Sequence, residues 1–343
     1  MTAPNLSAYA QAAILIQDGQ VAAMNEMAGQ YLPDVAEGSV APDYLDLAAD
    51  GEVGTGIFCA QDNCYTVRYT RTEQGDLFLF QPHPDMGLTR YQLDSALFQM
   101  RQFMGEFLLQ IGPYTRENAP ALSQQTSQQF SRSYHRMLRL MDNMEYVNST
   151  QEEAMKRLDV VELWGNLTEE AGTLLRENRT AVTFECRWPY LLVEGNADLL
   201  RHLLLELLSN AGRDAKEGSI HVKVEKQAAR VILTVKDTTK DAVPNRQRVY
   251  HSRTAIGAIP LPDNGAGLGR AVAERIVRVH GGAMFSYQDN TSTLVVVSLR
   301  HVGGSPYLRV EMPKLERNGG FNPLMVELSD ILPSHLFGMD DLN

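Results

Sequence analysis

The sequence has few cysteines, and their spacing excludes a zinc site or a disulfide-rich scaffold. The 343 residues include three cysteines, Cys59, Cys64 and Cys186, which match no metal-binding pattern. An odd number of cysteines fits a reducing compartment. We therefore expect Cys59 and Cys64 to be ordinary strand and loop residues, with a metal or redox pair as the alternative.

The sequence also lacks an excess of basic residues and any long apolar run. Lysine and arginine total 31 against 42 for aspartate and glutamate, which gives a net charge of −11. A nucleic-acid surface needs clustered basic side chains, so we expect no nucleic-acid partner. No stretch approaches the roughly 18 apolar residues of a membrane span, and residues 1–20 lack the pattern of a signal peptide. These features predict a cytoplasmic protein with no membrane span.

Residues 1–85 have the pattern of a small α+β domain. An apolar strand, the turn signal Asp18-Gly19 and a second strand indicate a hairpin, and Gly75 marks the turn of another. A short helix is predicted from Asn25 to Leu32. A strand pair, short helices and further antiparallel strands resemble a PAS sensor domain. An unspecified small α+β domain remains the alternative.

Two amphipathic helices are predicted in residues 86–150. Apolar residues recur every three or four positions, as on the buried face of a packed helix. They are Leu93, Leu97, Met100, Met104, Phe107 or Leu108 and Ile111 in the first helix, and Phe130, Tyr134, Met137, Met141 and Met144 in the second. An antiparallel helical hairpin cannot bury this stripe alone, whereas two copies forming a four-helix bundle can. We therefore predict a homodimer held by Leu97, Met100, Met104, Met137 and Met141.

Residues 151–302 alternate between helix and strand patterns. A helix beginning at Arg157, a strand, a long helix capped by Asn196, and a strand hairpin precede a weakly patterned stretch at 242–264. One more helix and two strands follow. Residues 303–343 are rich in glycine and proline, and their pattern indicates no role.

The long helix carries the first of three segments whose residues are suited to ligand binding or catalysis. Glu206 and Asn210 are four residues apart and therefore share one helix face. An amide oxygen suits a Mg²⁺ ion bound to a triphosphate, and a carboxylate one turn away can orient or deprotonate a neighbouring group. Taken alone, this spacing also fits two solvated surface residues with no chemical role.

The second and third segments follow along the chain. Asp237 ends a predicted strand, with Thr239 and Asp241 shortly after it. The third segment opens a helix, where glycines and free N–H groups form an anion site. It comprises Gly265, Gly267, Leu268 and Gly269. The helix that it opens ends at His280, for which a structural role is expected.

In this order, the three segments resemble the nucleotide site of the GHKL superfamily, which includes histidine kinases, type II topoisomerases, Hsp90-like chaperones and MutL-like repair proteins. The resemblance implies a GHKL α/β sandwich that binds ATP, with Asn210 as the magnesium ligand and Asp237 bonded to the adenine amino group. It also places Glu206 at the general-base position of the hydrolysing members, and residues 242–264 as a lid. Thr239 and Asp241 stand where the family has glycines.

A histidine kinase also needs a phosphoacceptor histidine followed by an acidic residue on the first hairpin helix. Aligned on Pro113, Leu108 and Leu109 occupy those two positions here. His135 lies on the second helix and precedes Arg136 rather than an acid. It is either a poor acceptor or an exposed or half-buried helix histidine.

The sequence therefore predicts an α+β multidomain protein with four parts: a PAS-like domain (1–85), a dimerising hairpin (86–150), a GHKL domain (151–302) and a tail (303–343). The leading hypothesis is a sensor histidine kinase that uses Mg-ATP, with Glu206 and His135 as candidate catalytic residues and a response regulator as partner. The alternatives are a degenerate kinase that binds nucleotide and regulates a partner protein, and an ATPase of the chaperone or repair type.

Overall fold

The computed structural model describes residues 6–33, 35–41, 45, 53–60, 63–82, 90–111, 123–148, 154–215, 217–239, 268–288, 292–303 and 322–337. The predicted lid at 242–264 and the predicted site residues Gly265 and Gly267 lie outside these ranges, as does Asp241. None of the described helices is long and apolar enough to cross a membrane.

In its described residues, the N-terminal part forms five antiparallel strands, a short α-helix and a 3₁₀ turn (Leu6–Ala8). Its elements are β1 (Ala12–Gln17), β2 (Gln20–Met24), α1 (Glu26–Tyr31), β3 (Val53–Ala60), β4 (Asn63–Thr72) and β5 (Gly75–Pro82). The strands lie in the order β2-β1-β5-β4-β3. The two predicted hairpins and the short helix are confirmed. Asn25 caps α1, because its side-chain oxygen accepts the N–H of Ala28 at 3.0 Å.

Two long helices follow, α2 (Arg90–Ile111) and α3 (Gln124–Asn148). Their contacts run in opposite directions: the Phe107 ring lies 4.9 Å from that of Phe130, and the Arg136 guanidinium lies 5.2 Å above the Phe103 ring. The predicted apolar stripes are only partly buried within one chain. Met100 and Met137 pack inward, whereas Leu97, Met104 and Met141 are 38%, 58% and 49% exposed.

The next elements match the predicted order of helices and strands, with the addition of two short strands that pair with each other. They are β6 (Lys156–Asp159), α4 (Val160–Leu175), β7 (Ala181–Cys186), β8 (Leu192–Gly195), α5 (Ala197–Asp214), β9 (Ser219–Gln227), β10 (Arg230–Thr238), α6 (Leu268–Val279), β11 (Ala283–Gln288) and β12 (Ser292–Arg300). The predicted helix start at Arg157 is wrong, because β6 pairs there with β8, which the sequence pattern did not reveal. Asp159 then caps α4 by accepting the N–H of Val161 at 3.0 Å.

One continuous sheet joins the N-terminal strands to those of the second half. Ten strands lie in the order β2-β1-β5-β4-β3-β11-β12-β10-β9-β7, and the junction is the antiparallel pair of β3 with β11. Gly56 permits this approach, because a Cβ at that position would collide with the carbonyl oxygen of Met284. Apolar residues of both halves, including Tyr69 and Phe285, share one core against this junction.

The C-terminal segment, residues 322–337, packs against the second half of the molecule. It contains α7 (Pro323–Glu327) and a 3₁₀ turn (Ser334–Leu336). Its buried side chains belong to the same core as α4 and α5: Leu324, Met325, Leu328, Leu332 and Phe337. The sequence assigned no role to this part of the tail, which proves to be an integral part of the fold.

The expectation for two of the cysteines is wrong. Cys59 and Cys64 form a disulfide across the end of the β3–β4 hairpin. They are directly opposite each other in the register of the antiparallel β3–β4 pair. Disulfides are rare in cytosolic proteins, so the pair weighs against the predicted reducing compartment. Cys186 is free.

Candidate functional site

The site is built on α5, and local chemistry fixes where this helix begins. The side-chain oxygen of Asn196 accepts the backbone N–H groups of Asp198 and Leu199 at 2.9 and 3.1 Å, as predicted for its N-cap. Leucines on the opposite side of α5 are buried against the sheet. This orientation leaves the remaining polar face, which carries Glu206 and Asn210, directed away from the sheet.

The fold brings the first and third predicted segments together. Gly269, in the first turn of α6, lies so close to α5 that a Cβ there would collide with the Glu206 carboxylate. A side chain at position 269 would therefore displace that carboxylate. Leu268 is fully buried, and its neighbours Ala96, Phe103 and Leu140 belong to α2 and α3. This contact was not expected for a residue beside a nucleotide.

Asp237, the key residue of the second segment, is buried on β10, a strand that packs beneath α5. Its Oδ1 atom accepts the backbone N–H of Thr293 on β12 at 3.3 Å. Among the described residues, the buried hydroxyl of Thr293 has no hydrogen-bond partner. A buried hydroxyl is costly unless it is bonded, so Thr293 is a polar group suited to a ligand beside Asp237. No sequence motif marks Thr293, and only its place opposite Asp237 in the strand register reveals it.

Glu206 belongs to a buried polar network that we call the Arg139 cluster. Its members come from α3, α5 and the C-terminal segment: Arg139, Asn143, His202, Glu206, Glu327 and Asp330. The Arg139 guanidinium donates to Glu206 at 2.9 Å, to Asp330 at 2.6 Å and to Glu327 at 3.3 Å. The other oxygen of Glu206 accepts the side-chain N–H of Asn143 at 2.8 Å. Both oxygens of the predicted general base are therefore bonded to α3.

Opposite charges set the protonation of this cluster. Burial alone would lower the pKa of His202, but the Glu327 carboxylate at 2.7 Å raises it above its usual value. Burial would raise the pKa of Glu327, but His202 and Arg139 hold it below its usual value. Burial would likewise raise the pKa of Asp330, but Arg139 and its neighbouring arginines hold it below its usual value. Both ring nitrogens of His202 face acceptors, since the second is 3.1 Å from Asn143 Oδ1. This geometry suits the imidazolium form.

Three members of the cluster have the residue types of a metal site. The possible ligand atoms of His202, Glu206 and Glu327 lie within 4.8 Å of one another. Arg139, however, already neutralises both carboxylates, and a metal ion would have to displace its guanidinium. The arrangement is therefore an ion-pair network.

His135 lies one turn before Arg139 and is fully buried. Its Nδ1 atom donates to the Ser131 carbonyl at 2.7 Å, and its ring meets that of Phe337 edge-on. The expectation of an exposed or half-buried histidine is wrong, because the C-terminal segment covers this face of α3. No phosphate donor can reach the ring in this arrangement.

The other predicted histidine, His280, has the structural role expected of it. Its Nδ1 atom donates to the Ile276 carbonyl at 2.7 Å, and its Nε2 atom accepts the N–H of Asn196 at 3.1 Å. Burial lowers the pKa of His280, which keeps the ring neutral and able to accept. His280 thereby ties the end of α6 to the start of α5.

Three solved histidine kinase structures resemble the chain. The Acinetobacter baumannii kinase AdeS is 12% identical over 60% of this chain and 96% of its own, with a TM-score of 0.45. Full-length ShkA in complex with AMPPNP is 17% identical over 64% of this chain and 47% of its own, with a TM-score of 0.45. ThkA in complex with the response regulator TrrA is 14% identical over 87% and 97%, with a TM-score of 0.42.

No curated protein matches the sequence. Residues 195–303, which contain all three motifs, match the family model described as histidine kinase-, DNA gyrase B- and HSP90-like ATPase. The resemblance carried by the motifs is thereby confirmed, and residues 195–303 form a domain of the histidine kinase-, DNA gyrase B- and HSP90-like type.

Proposed function

We propose that the chain is a signalling protein of the sensor histidine kinase family that binds Mg-ATP between α5, β10 and α6 and relays a signal through a two-component pathway. The observation that carries this proposal is the convergence of the motifs. Glu206 and Asn210 share a face of α5, Gly269 lies against Glu206, and Asp237 is buried on the strand beneath. These contacts bring elements of all three motifs around α5.

Each residue has a role that suits its chemistry. Asp237 accepts from the adenine amino group, and the Thr293 hydroxyl bonds to the same ring. The Asn210 amide supplies an oxygen to Mg²⁺, which favours oxygen ligands and is commonly held by few protein groups together with substrate phosphates. The first turn of α6 offers N–H groups to the phosphates.

Calorimetry with Mg-ATP tests this proposal. We expect Asn210→Asp and Asp237→Asn each to weaken binding at least tenfold, or about 1.4 kcal/mol. Asn210→Asp adds a negative charge beside the triphosphate, and Asp237→Asn replaces the charged acceptor of the adenine amino group with a weaker neutral one. Asp198→Asn is the matched control, since Asp198 lies on the same helix with its side chain 66% exposed. Unchanged affinity in both site variants would place the nucleotide elsewhere.

The other parts of the chain complete the proposal. Residues 1–85 act as a PAS-like sensor, residues 86–150 form an antiparallel hairpin that dimerises as a four-helix bundle, and a response regulator is the partner. The exposed Leu97, Met104 and Met141 support the dimer, because side chains of this type are expected to be covered. A cytoplasmic location is the last part of the proposal, and the Cys59–Cys64 disulfide is the one observation that weighs against it.

Light scattering tests the dimer. Met104→Lys should lower the mass from dimer toward monomer, because it places a charge in the apolar interface. Gln102→Lys is the control, as it adds the same charge at an exposed position of α2. A monomeric wild type at micromolar concentration would exclude the four-helix bundle.

A second candidate function is a nucleotide-binding regulatory scaffold without autophosphorylation. The burial of His135 favours it, and no described residue of α2 is a histidine. We expect no acid-labile label from γ-labelled ATP. If label appears and His135→Gln abolishes it, the kinase function holds and His135 is the acceptor. Label that survives this substitution lies outside the hairpin.

A further inference from the structure

Both carboxylate oxygens of Glu206 are held by the second hairpin helix, α3. The Arg139 guanidinium donates to one oxygen at 2.9 Å, and the Asn143 side-chain amide donates to the other at 2.8 Å. Glu206 is 0% exposed, and a Cβ at Gly269 would collide with its carboxylate. Solvent therefore does not reach this carboxylate while α3 lies against α5.

The two groups that donate to this carboxylate are themselves fixed in place. Glu327 and Asp330 accept from the other two nitrogens of the Arg139 guanidinium, at 3.3 and 2.6 Å. The side-chain oxygen of Asn143 lies 3.1 Å from the Nε2 atom of His202 on α5. Each donor would break a second buried contact if it turned away, so the arrangement around the carboxylate is specific.

The hairpin also packs against the first turn of α6. Leu268 is fully buried in one apolar cluster with residues of α2 and α3. They are Ala96, Phe103 and Leu140. Leu268 directly precedes Gly269, whose backbone approaches Glu206. A polar contact and an apolar contact therefore hold the hairpin against the same part of the proposed nucleotide site.

This arrangement is incompatible with the task of a general base in ATP hydrolysis. In that reaction the oxygen of a water molecule bonds to the γ-phosphorus while a carboxylate takes the water proton. The bond from the phosphorus to the β–γ bridging oxygen breaks with its electron pair on ADP, and the proton later passes to solvent. The base must lie within hydrogen-bond reach of the attacking water. Glu206 is buried, and both its oxygens already accept from α3.

We propose that α3 is a brake on ATP hydrolysis: Arg139 and Asn143 withhold Glu206 from water, and the hairpin must move away from α5 before Glu206 can act as the base. The inference rests on the proposed nucleotide site and adds the regulation of one of its residues. Arg139 and Asn143 act through Glu206 and are positioning residues. Because a base acts in the chemical step, the brake lowers kcat and leaves KM little changed.

The first test frees one oxygen of Glu206 in the full chain. Asn143→Leu keeps the size of the side chain and removes the N–H that binds the carboxylate. General-base catalysis typically contributes about 10²–10⁴-fold, so even a partial release should raise kcat for Mg-ATP hydrolysis at least tenfold. Gln129→Leu is the matched control, because it replaces an amide by leucine at an exposed position of α3.

The gain in hydrolysis must depend on the carboxylate of Glu206. Adding Glu206→Gln to Asn143→Leu should abolish the gain, because an amide cannot take the proton from water. A general loosening of the fold would instead raise hydrolysis with or without this carboxylate. The double variant therefore separates the release of a base from a structural effect.

A second variant loosens the hairpin and leaves the partners of Glu206 in place. Leu140→Ala removes packing against Leu268, so it should also raise kcat, and Glu206→Gln should again abolish the gain. Leu109→Ala is the control, since this leucine of α2 is 80% exposed. Circular dichroism and calorimetry with Mg-ATP check that each variant is folded and binds the nucleotide.

The outcomes separate the brake from the nucleotide site itself. If Asn143→Leu and Leu140→Ala bind Mg-ATP but hydrolyse it no faster than the wild type, the brake is overturned and the nucleotide site stands. A gain that persists after Glu206→Gln overturns the brake in the same way. If neither the wild type nor any folded variant binds Mg-ATP, the proposed function fails and the brake fails with it.

Discussion

Arg139→Met removes the guanidinium that contacts Glu206, Glu327 and Asp330, while keeping a long side chain that fills most of the space. Breaking a buried ion pair by removal of one partner typically costs about 3–5 kcal/mol. Each carboxylate keeps some support here. Glu206 retains the N–H of Asn143, and Glu327 retains His202. We therefore expect the lower end of that range, about 3 kcal/mol.

The protein can respond to this cost in two ways, which two assays distinguish. If the C-terminal segment undocks, its amide hydrogens, such as the Leu328 N–H bonded to the Leu324 carbonyl at 2.9 Å, should exchange roughly a hundredfold faster. If the core around α4 and α5 unfolds first, the midpoint of urea unfolding should shift to a lower urea concentration, as followed by the fluorescence of the fully buried Trp164. We expect the first response, because undocking returns two carboxylates to water.

Two further variants provide an intermediate case and a control for the expected loss of stability. Arg139→Lys keeps the charge but cannot reach three carboxylates at once, so its effect should be intermediate. Arg179→Met removes a pair with Glu217 whose side chains are 81% and 56% exposed, and it should have little effect. If Arg139→Met changed neither the exchange of residues 322–337 nor the unfolding of the core, the cluster would not hold the segment on α5.

Three other predictions follow from the structure. The pKa of His202 is raised above its usual 6.5 by Glu327, so its protonation stabilises the fold at low pH, and this stability is lost as the pH rises through the folded-state pKa. Hydrogen-exchange protection of the C-terminal segment should therefore fall above neutral pH. His202→Gln should flatten this pH dependence. Burial raises the pKa of Asp142 from 3.8 to about 6, so the free energy of unfolding falls as the pH rises between these two values. At pH 7.5, Asp142→Asn should therefore be more stable than the wild type by about 1–2 kcal/mol and unfold at a higher urea concentration. Gly56→Val should increase hydrogen exchange in β3 and β11, because its side chain meets the β11 backbone.

The sequence was sufficient for those features that depend on local patterns. The cap at Asn196, the helix that follows it, the strand pair ending at Asp237 and the helix opened by Gly269 all lie where the sequence predicts them. Each of these signals is contained within a few residues: a capping side chain, an alternating strand or a glycine before an apolar helix face. The meeting of Gly269 with Glu206 then follows from the family resemblance.

The junction between β3 and β11 could not be predicted in this way. Periodicity shows that a strand has a buried face but does not identify its partner across more than two hundred residues of chain. The glycines of β3 would ordinarily indicate a weak strand. Here Gly56 marks the place where another backbone approaches, and only the three-dimensional arrangement distinguishes these two meanings. The disulfide of Cys59 and Cys64 depends likewise on the β3–β4 register.

The Arg139 cluster was missed because hydrophobic periodicity has no means of detecting it. The apolar stripe of α3 is continuous in sequence and predicts the buried face, yet Met141 on that stripe is 49% exposed. The face with His135, Arg139 and Asn143 is predicted from its residue types to be solvated, since arginine is rarely buried without partners. Its partners come from α5 and from a tail with no regular pattern. A buried polar face requires charges supplied by distant segments, so it becomes visible only when those segments are placed together.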